Sequence, residues 1–181
     1  MRDTALAFPA PALPPWLDGP VAPGVHLRPA AARDLDPMHD WYAESRAAEL
    51  AAVPWPADAR RAFCDSQFAL QHRHYCTRFD PAAFLVIERH DAPVGRLYLH
   101  WSPAGLHIID LLLQASARGQ GIGSAILCWL QGVLPPAGTL TLHVDAHNAD
   151  ALRLYRRLGF QQRGREGLGL RMAWAASARL S

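Results

Sequence analysis

The stretch ARGQGIGSAIL, residues 117–127, sets three glycines at alternate positions behind Arg118 and ahead of an apolar run. Where such a turn follows a strand and opens a helix, unpaired backbone N–H groups point outward at the helix start. The helix dipole then adds up to about 2 kcal/mol in favour of an anion. Glycine lets the chain approach a ligand closely and adopt positive φ. The chemistry suited to Gly119, Gly121 and Gly123 is the cradling of a phosphate by main-chain amides, although three glycines alone also fit a plain turn.

The neighbours narrow which phosphate. A Walker-type loop needs a lysine after its last glycine, and this chain has none: all 18 basic residues are arginine. A dinucleotide fingerprint needs glycine or alanine in its last place. That place is Ser124 when counted from Gly119 and Ile126 when counted from Gly121. The pattern left is Arg-x-x-Gly-x-Gly, met by Arg118, Gly121 and Gly123.

Two further stretches carry reactive side chains. In HNADALRLYRRLGF, residues 147–160, Ala151, Leu154, Tyr155 and Leu158 share one helical face, with Arg153, Arg156 and Arg157 largely on the other. This periodicity alone admits Tyr155 as a core aromatic and Asn148 as a helix N-cap. The run LHIIDLLLQ, residues 106–114, is apolar on both faces except for Asp110. A carboxylate so placed would have a raised pKa, which suits a proton acceptor. It could equally serve as a structural partner of Arg96. His107, His143 and Glu88 are rivals for the proton-acceptor role.

These residues must be held by a regular frame. Residues 1–24 are rich in proline and alanine, and Pro9, Pro11, Pro14, Pro15, Pro20 and Pro23 deny them helix or ladder. They read as a mobile or draped tail, with Trp16 and Leu17 able to tack it to a domain spanning 25–177. Within that domain VHLRPA is a short strand ended by Pro29. Asp34 caps a helix to about Leu50, and Asp58 caps a second to about Arg78. Strands at 83–89 and 94–101 form a hairpin around HDAP. The 106–114 strand is central because both its faces are apolar. A helix follows from about Gly121 to Gly132, then a strand at 139–144. A last helix runs from about Asn148 to Leu158 with Gly159 as its C-cap, and a strand at 168–174 closes the chain. The order β-α-α-β-β-β-α-β-α-β is that of an α/β fold with a sheet of mixed antiparallel and parallel pairing. Its parallel pair spans the βαβ unit 106–144.

Composition bounds the function. The chain has 181 residues, half of them hydrophobic and 19% charged, as in a soluble one-domain globular protein. A net charge of +2 permits an anionic ligand without the basic stripes of a nucleic-acid binder. Cys64, Cys76 and Cys128 form no CxxC pair, so neither a disulfide framework nor a cysteine zinc site is expected. The histidine spacings, His72 with His74 and His143 with His147, do not favour a metal either. No apolar run approaches the roughly 18 residues of a membrane span, and prolines interrupt any signal-peptide core. The expectation is a cytoplasmic protein without metal, membrane or nucleic-acid partner; a homodimer is left open.

The segment DLLLQASARGQGIGSAIL, followed by HNADALRLYRRLGF, resembles the two hallmarks of the GNAT acetyltransferase superfamily in their usual order, over about residues 25–175. The resemblance implies the GNAT fold, a twisted mixed sheet with helices on both faces. It implies acetyl-CoA as cosubstrate, its pyrophosphate held by Arg118, Gly119, Gln120, Gly121, Ile122, Gly123 and Ser124. It also implies that the 106–114 strand bulges and splays from its neighbour, so that the backbone of Leu111, Leu112 and Leu113 pairs with the pantetheine arm while their side chains are core. Asn148 would bind that arm too, and Tyr155 would act as general acid toward the departing thiolate. Asp110 occupies the region where many members place a glutamate base. The activity implied is acetyl transfer to a primary amine of a small molecule or peptide, by direct attack in a ternary complex. The alternatives are a coenzyme A-binding regulatory module without turnover, or transfer of another acyl chain or to a hydroxyl. The acceptor pocket would come from the first two helices, with Trp41, Tyr42, Glu44, Trp55, Phe63, Gln67, Gln71 and Tyr75 as candidates.

Overall fold

The computed structural model describes residues 6–10, 12–14, 16–17, 19–103 and 105–176. The expected domain limit at 177, and residues 1–5, 11, 15 and 18 of the tail, lie outside the described residues.

Seven strands form one sheet: β1 (Val25–Pro29), β2 (Ala82–Arg89), β3 (Ala92–Ser102), β4 (Gly105–Leu113), β5 (Thr139–Asp145), β6 (Gln161–Glu166) and β7 (Gly169–Ala175). Their spatial order is β1-β2-β3-β4-β5-β7-β6, antiparallel throughout except for the parallel pair β4–β5. Four helices accompany them: α1 (Leu35–Leu50), α2 (Ala57–Arg78), α3 (Ile122–Val133) and α4 (Ala149–Arg157).

The alternation of side chains along β2 divides the core in two. Leu85 and Ile87 face Ile122, Ile126, Leu127 and Leu130 of α3 and Leu152 and Tyr155 of α4. Phe84 and Val86 face Met38, Trp41, Tyr42 and Leu50 of α1 and Cys64 and Phe68 of α2. Helices therefore cover both faces of the mixed sheet, as expected. The β2–β3 hairpin turns on His90 and Asp91, both at positive φ (50° and 64°), the geometry of a tight two-residue connection.

The structure corrects several local expectations. Strand β6 is additional to the six strands expected from the sequence. Its residues QQRGRE are polar and exposed except for half-buried Gly164, because it is the outer edge of the sheet and has no apolar stripe to reveal it. Asp34 sits at the N-cap position of α1 but makes no capping bond. Its carboxylate instead accepts from Ala31 N–H at 2.8 Å and from both Nη atoms of Arg28 at 2.8 Å. Pro56, not Asp58, stands at the N-cap of α2, with Asp58 in the first turn.

The described part of the N-terminal segment is draped over the domain. Ala12 N–H donates to Ala82 C=O and Trp101 Nε1 to Ala12 C=O, each at 3.3 Å. Leu17 is buried, and the ring of Phe8 meets that of His72 edge-on at 4.8 Å.

Candidate active site

The site is built where β4 and β5 part. Their ladder covers only Leu106–Ile108 against Leu140–Leu142, although the strands run on to Leu113 and Asp145. Beyond Ile108 the β5-facing edge of β4 has no ladder partner in β5. Leu111 and Leu113 pack toward the α3–α4 core and Leu112 toward the α1–α2 core, all half-buried. Their side chains thus pack against the two core clusters while staying partly exposed.

A register shift opposite Tyr98 and Leu99 makes Ile109 an extra residue in β4. Without it, Asp110 would share the parity of Leu106 and Ile108, which face α3 and α4. The bulge turns Asp110 to the other side of the sheet. There Arg96 Nε and Nη2 reach its Oδ2 at 2.8 and 2.7 Å. The structural partnership with Arg96 left open by the sequence is therefore formed, and Asp110 is not an isolated carboxylate among apolar side chains. It retains 19% side-chain exposure.

The glycine loop follows from the end of β4. Glu44 of α1 accepts from Ala115 N–H at 2.9 Å, Ala117 is buried, and Arg118 Nε donates back to Leu113 C=O at 2.9 Å. Gly119 and Gly121 adopt φ of 71° and 81°, a region that L side chains disfavour. A Cβ on either would meet nothing within 4 Å, so the backbone here borders open space. Gly121 is the N-cap of α3 with no side-chain cap, and the first turn bond runs from Ala125 N–H to Gly121 C=O. The N–H groups of Ile122, Gly123 and Ser124 precede that bond and have no acceptor within the helix. Gln120 holds the loop by donating to Ser116 C=O at 2.6 Å and accepting from Arg89. Ser124 Oγ accepts from Arg157 of α4 at 3.2 Å.

The fourth element is α4. Asn148 caps it, its side-chain oxygen accepting from Ala151 N–H at 3.1 Å, and Gly159 ends it at φ 83°. Tyr155 lies 8% exposed against Phe160, ring centroids 5.5 Å apart. Burial, followed by the negative charge of Asp110, pushes its phenol up to about 12. Tyr155 belongs to the α3–α4 core, whereas Asp110 is held on the other side of the sheet by Arg96.

The rival bases are engaged elsewhere. Glu88 accepts from Arg28 Nε at 2.6 Å on β2. His107 lies where β4 and β5 are still paired, 2.9 Å from Thr141 Oγ1 and stacked on Phe79. Burial, then the neighbouring His143 and His100, lowers it to about 4. His143 Nε2 stands 3.6 Å from Glu166. Among the acceptor-pocket candidates, Trp41 and Tyr42 are buried core residues, Glu44 is committed to Ala115, and Trp55 packs on Phe63. Gln71 points inward, accepting from Arg96 Nη2 at 2.9 Å, and Tyr75 packs edge-on against Tyr98. Arg96, with its role beneath Asp110, was seen in the sequence only as one option for a partner. Among the described residues no three His, Cys, Asp or Glu side chains gather as metal ligands, and no helix is long and apolar enough to cross a membrane.

Comparison with known proteins places the chain in a family and matches its fold. The family model described as the acetyltransferase (GNAT) family matches residues 35–160. A peptidyl-lysine N-acetyltransferase, YjaB of Salmonella typhimurium, is 29% identical over 110 residues, covering 60% of this chain and 71% of its own. A mycothiol acetyltransferase of Acidothermus cellulolyticus is 32% identical over 63% of this chain and 42% of its own. In structure, the chain superposes on the PaiA N-acetyltransferase of Thermoplasma acidophilum, solved in complex with coenzyme A. The TM-score is 0.60 at 16% identity, over 83% of this chain and 98% of that one.

Proposed function

The chain belongs to the GNAT acetyltransferase family, and on that premise we propose that it moves the acetyl group of acetyl-CoA to a primary amine by direct attack in a ternary complex. One observation carries the reading. Strand β4 leaves β5 beyond Ile108, and its freed edge runs into the loop that ends at the uncapped start of α3 behind Gly121.

In this reading the amides of Ile122, Gly123 and Ser124 hold the cosubstrate's pyrophosphate at the positive end of α3. Arg118, Gly119, Gln120 and Gly121 shape the loop around it. The unpaired edge of β4 at Leu111, Leu112 and Leu113 takes the pantetheine arm as an added strand, with the amide NH2 of Asn148 beside it. The amine nitrogen attacks the thioester carbonyl carbon, and the C–S bond breaks. Tyr155 gives its proton to the leaving sulfur. Asp110, directly or through a water, takes the proton released by the amine. A phenol held neutral by burial is a competent donor to a nascent thiolate. Relatives that acetylate peptidyl lysine support an amine acceptor, and the coenzyme A complex of a structural neighbour supports the cosubstrate. Residues 25–177 are proposed as the catalytic domain.

The test is thiol release from acetyl-CoA across polyamines, amino acids, aminoglycosides and lysine peptides, with acetyl-CoA binding measured on the same sample. Release with one amine class establishes the enzyme and its acceptor. Binding without release from any amine overturns the transfer reading in favour of a coenzyme A-binding module.

A further inference from the structure

Arg96 of β3 is 1% exposed. Its Nε and Nη2 both bond Asp110 Oδ2, and Nη2 also donates to Gln71 Oε1 of α2. The remaining nitrogen, Nη1, is buried without a hydrogen-bond partner. The guanidinium lies 5.2 Å from the ring centroid of Phe68 and 5.3 Å from that of Tyr98. Burying a guanidinium with one nitrogen unpaired is a poor way to stabilise a core, because apolar residues of similar volume do as well or better. The arrangement therefore calls for a role beyond packing.

The geometry suggests one. Both bonds end on a single carboxylate oxygen, so Oδ1 of Asp110 is left outside the pair. The same guanidinium ties α2, from the side of the sheet where acceptor candidates lie, to β3 and β4. We propose that Arg96 is a positioning residue for acetyl transfer: it clamps Asp110 Oδ2 so that Oδ1 is presented to the incoming amine, and through Gln71 it sets the distance of α2 from β4. The inference rests on the reading of Asp110 as proton acceptor. It adds that Asp110 acts only as part of a three-residue unit drawn from α2, β3 and β4.

The experiment is a kinetic double-mutant cycle on the full chain with Arg96→Lys, Asp110→Asn and the pair. It reads kcat/KM for the amine found above, KM for acetyl-CoA and melting temperature. Lysine keeps the charge but cannot reproduce the forked contact. Arg96→Lys is expected to lower amine kcat/KM by about 10²-fold, the scale of a misplacement of about 1 Å, with acetyl-CoA KM within about twofold of wild type. In the Asp110→Asn background it is expected to lose no more than Gln71→Leu does, because the rest of its effect acts through Asp110. Gln71→Leu, which leaves the Arg96–Asp110 pair intact, is expected to raise amine KM while sparing acetyl-CoA KM, and it tests the unit even where Arg96→Lys folds poorly. Equal losses from Arg96→Lys in both backgrounds would overturn the positioning role. So would variants that melt earlier yet keep wild-type kcat/KM per folded molecule. Wild type that turns over while the cycle is additive refutes this inference alone. Wild type that binds acetyl-CoA but acetylates no amine refutes the underlying reading, and this inference with it.

Discussion

Glu44 and Ala115, 71 residues apart, are joined by a 2.9 Å hydrogen bond from the backbone N–H to Oε2. The bond fastens α1 to the linker between β4 and the glycine loop. Glu44→Ala is expected to raise KM for acetyl-CoA several-fold. The stability cost would be only about 0.5–1.5 kcal/mol, that of one ordinary hydrogen bond. Steady-state kinetics beside urea unfolding check both, and unchanged KM would show that the linker holds itself.

Tyr155→Phe removes one oxygen from a buried ring and leaves its packing on Phe160. Acetyl-CoA affinity is expected to stay as in wild type while kcat falls by about 10²–10⁴, the usual range for lost general acid catalysis. Calorimetric binding with single-turnover transfer measures the two separately. Undiminished kcat would return Tyr155 to a purely structural place in the core.

Gly121→Glu sets a side chain at φ 81° and a carboxylate at the positive end of α3. A Cβ added there meets nothing within 4 Å. The backbone strain is about 1–2 kcal/mol, which the fold should tolerate. The protein is expected to remain folded by circular dichroism and to lose acetyl-CoA binding, since the new charge occupies and repels the phosphate position. Full binding by this variant would remove the pyrophosphate assignment.

His107 gives a pH dependence of stability. Burial, then His143 and His100, holds it at about 4 in the folded state, against about 6.5 when unfolded. Between those values the unfolded chain binds more protons. Stability attached to neutral His107 is therefore complete above about pH 6.5 and is lost as pH falls toward 4. The loss is on the order of 2 kcal/mol after allowance for partial exposure of the ring. Urea unfolding from pH 7 to pH 4.5 should show the decline in wild type and a shallower one in His107→Gln. Parallel slopes would place the titration elsewhere.

Much of this frame was legible because it is local. The hairpin around His90 and Asp91, the cap at Asn148, the stop at Gly159 and the glycine loop before α3 each depend on spacing and φ preference within a few residues. The N-terminal segment was legible in half: its prolines ruled out regular structure. Its attachment depended on Ala82 and Trp101, far along the chain. Strand β6 was illegible because QQRGRE pairs on one edge only and carries no apolar alternation.

The sequence by itself determined a mixed α/β chain with an anion-suited loop at 118–124 and a tyrosine on the inward face of a later helix. These follow from periodicity and backbone preference, which short stretches of chain express unaided. Only the tertiary structure decided what Asp110 does. Its side of the sheet depends on one extra residue at Ile109, and a single-residue shift reverses every side chain beyond it. Its partner Arg96 lies 14 residues earlier in the chain, and Gln71 a further 25 before that. Pairing register and buried charge compensation are set by packing among separate elements, so no local spacing could encode them.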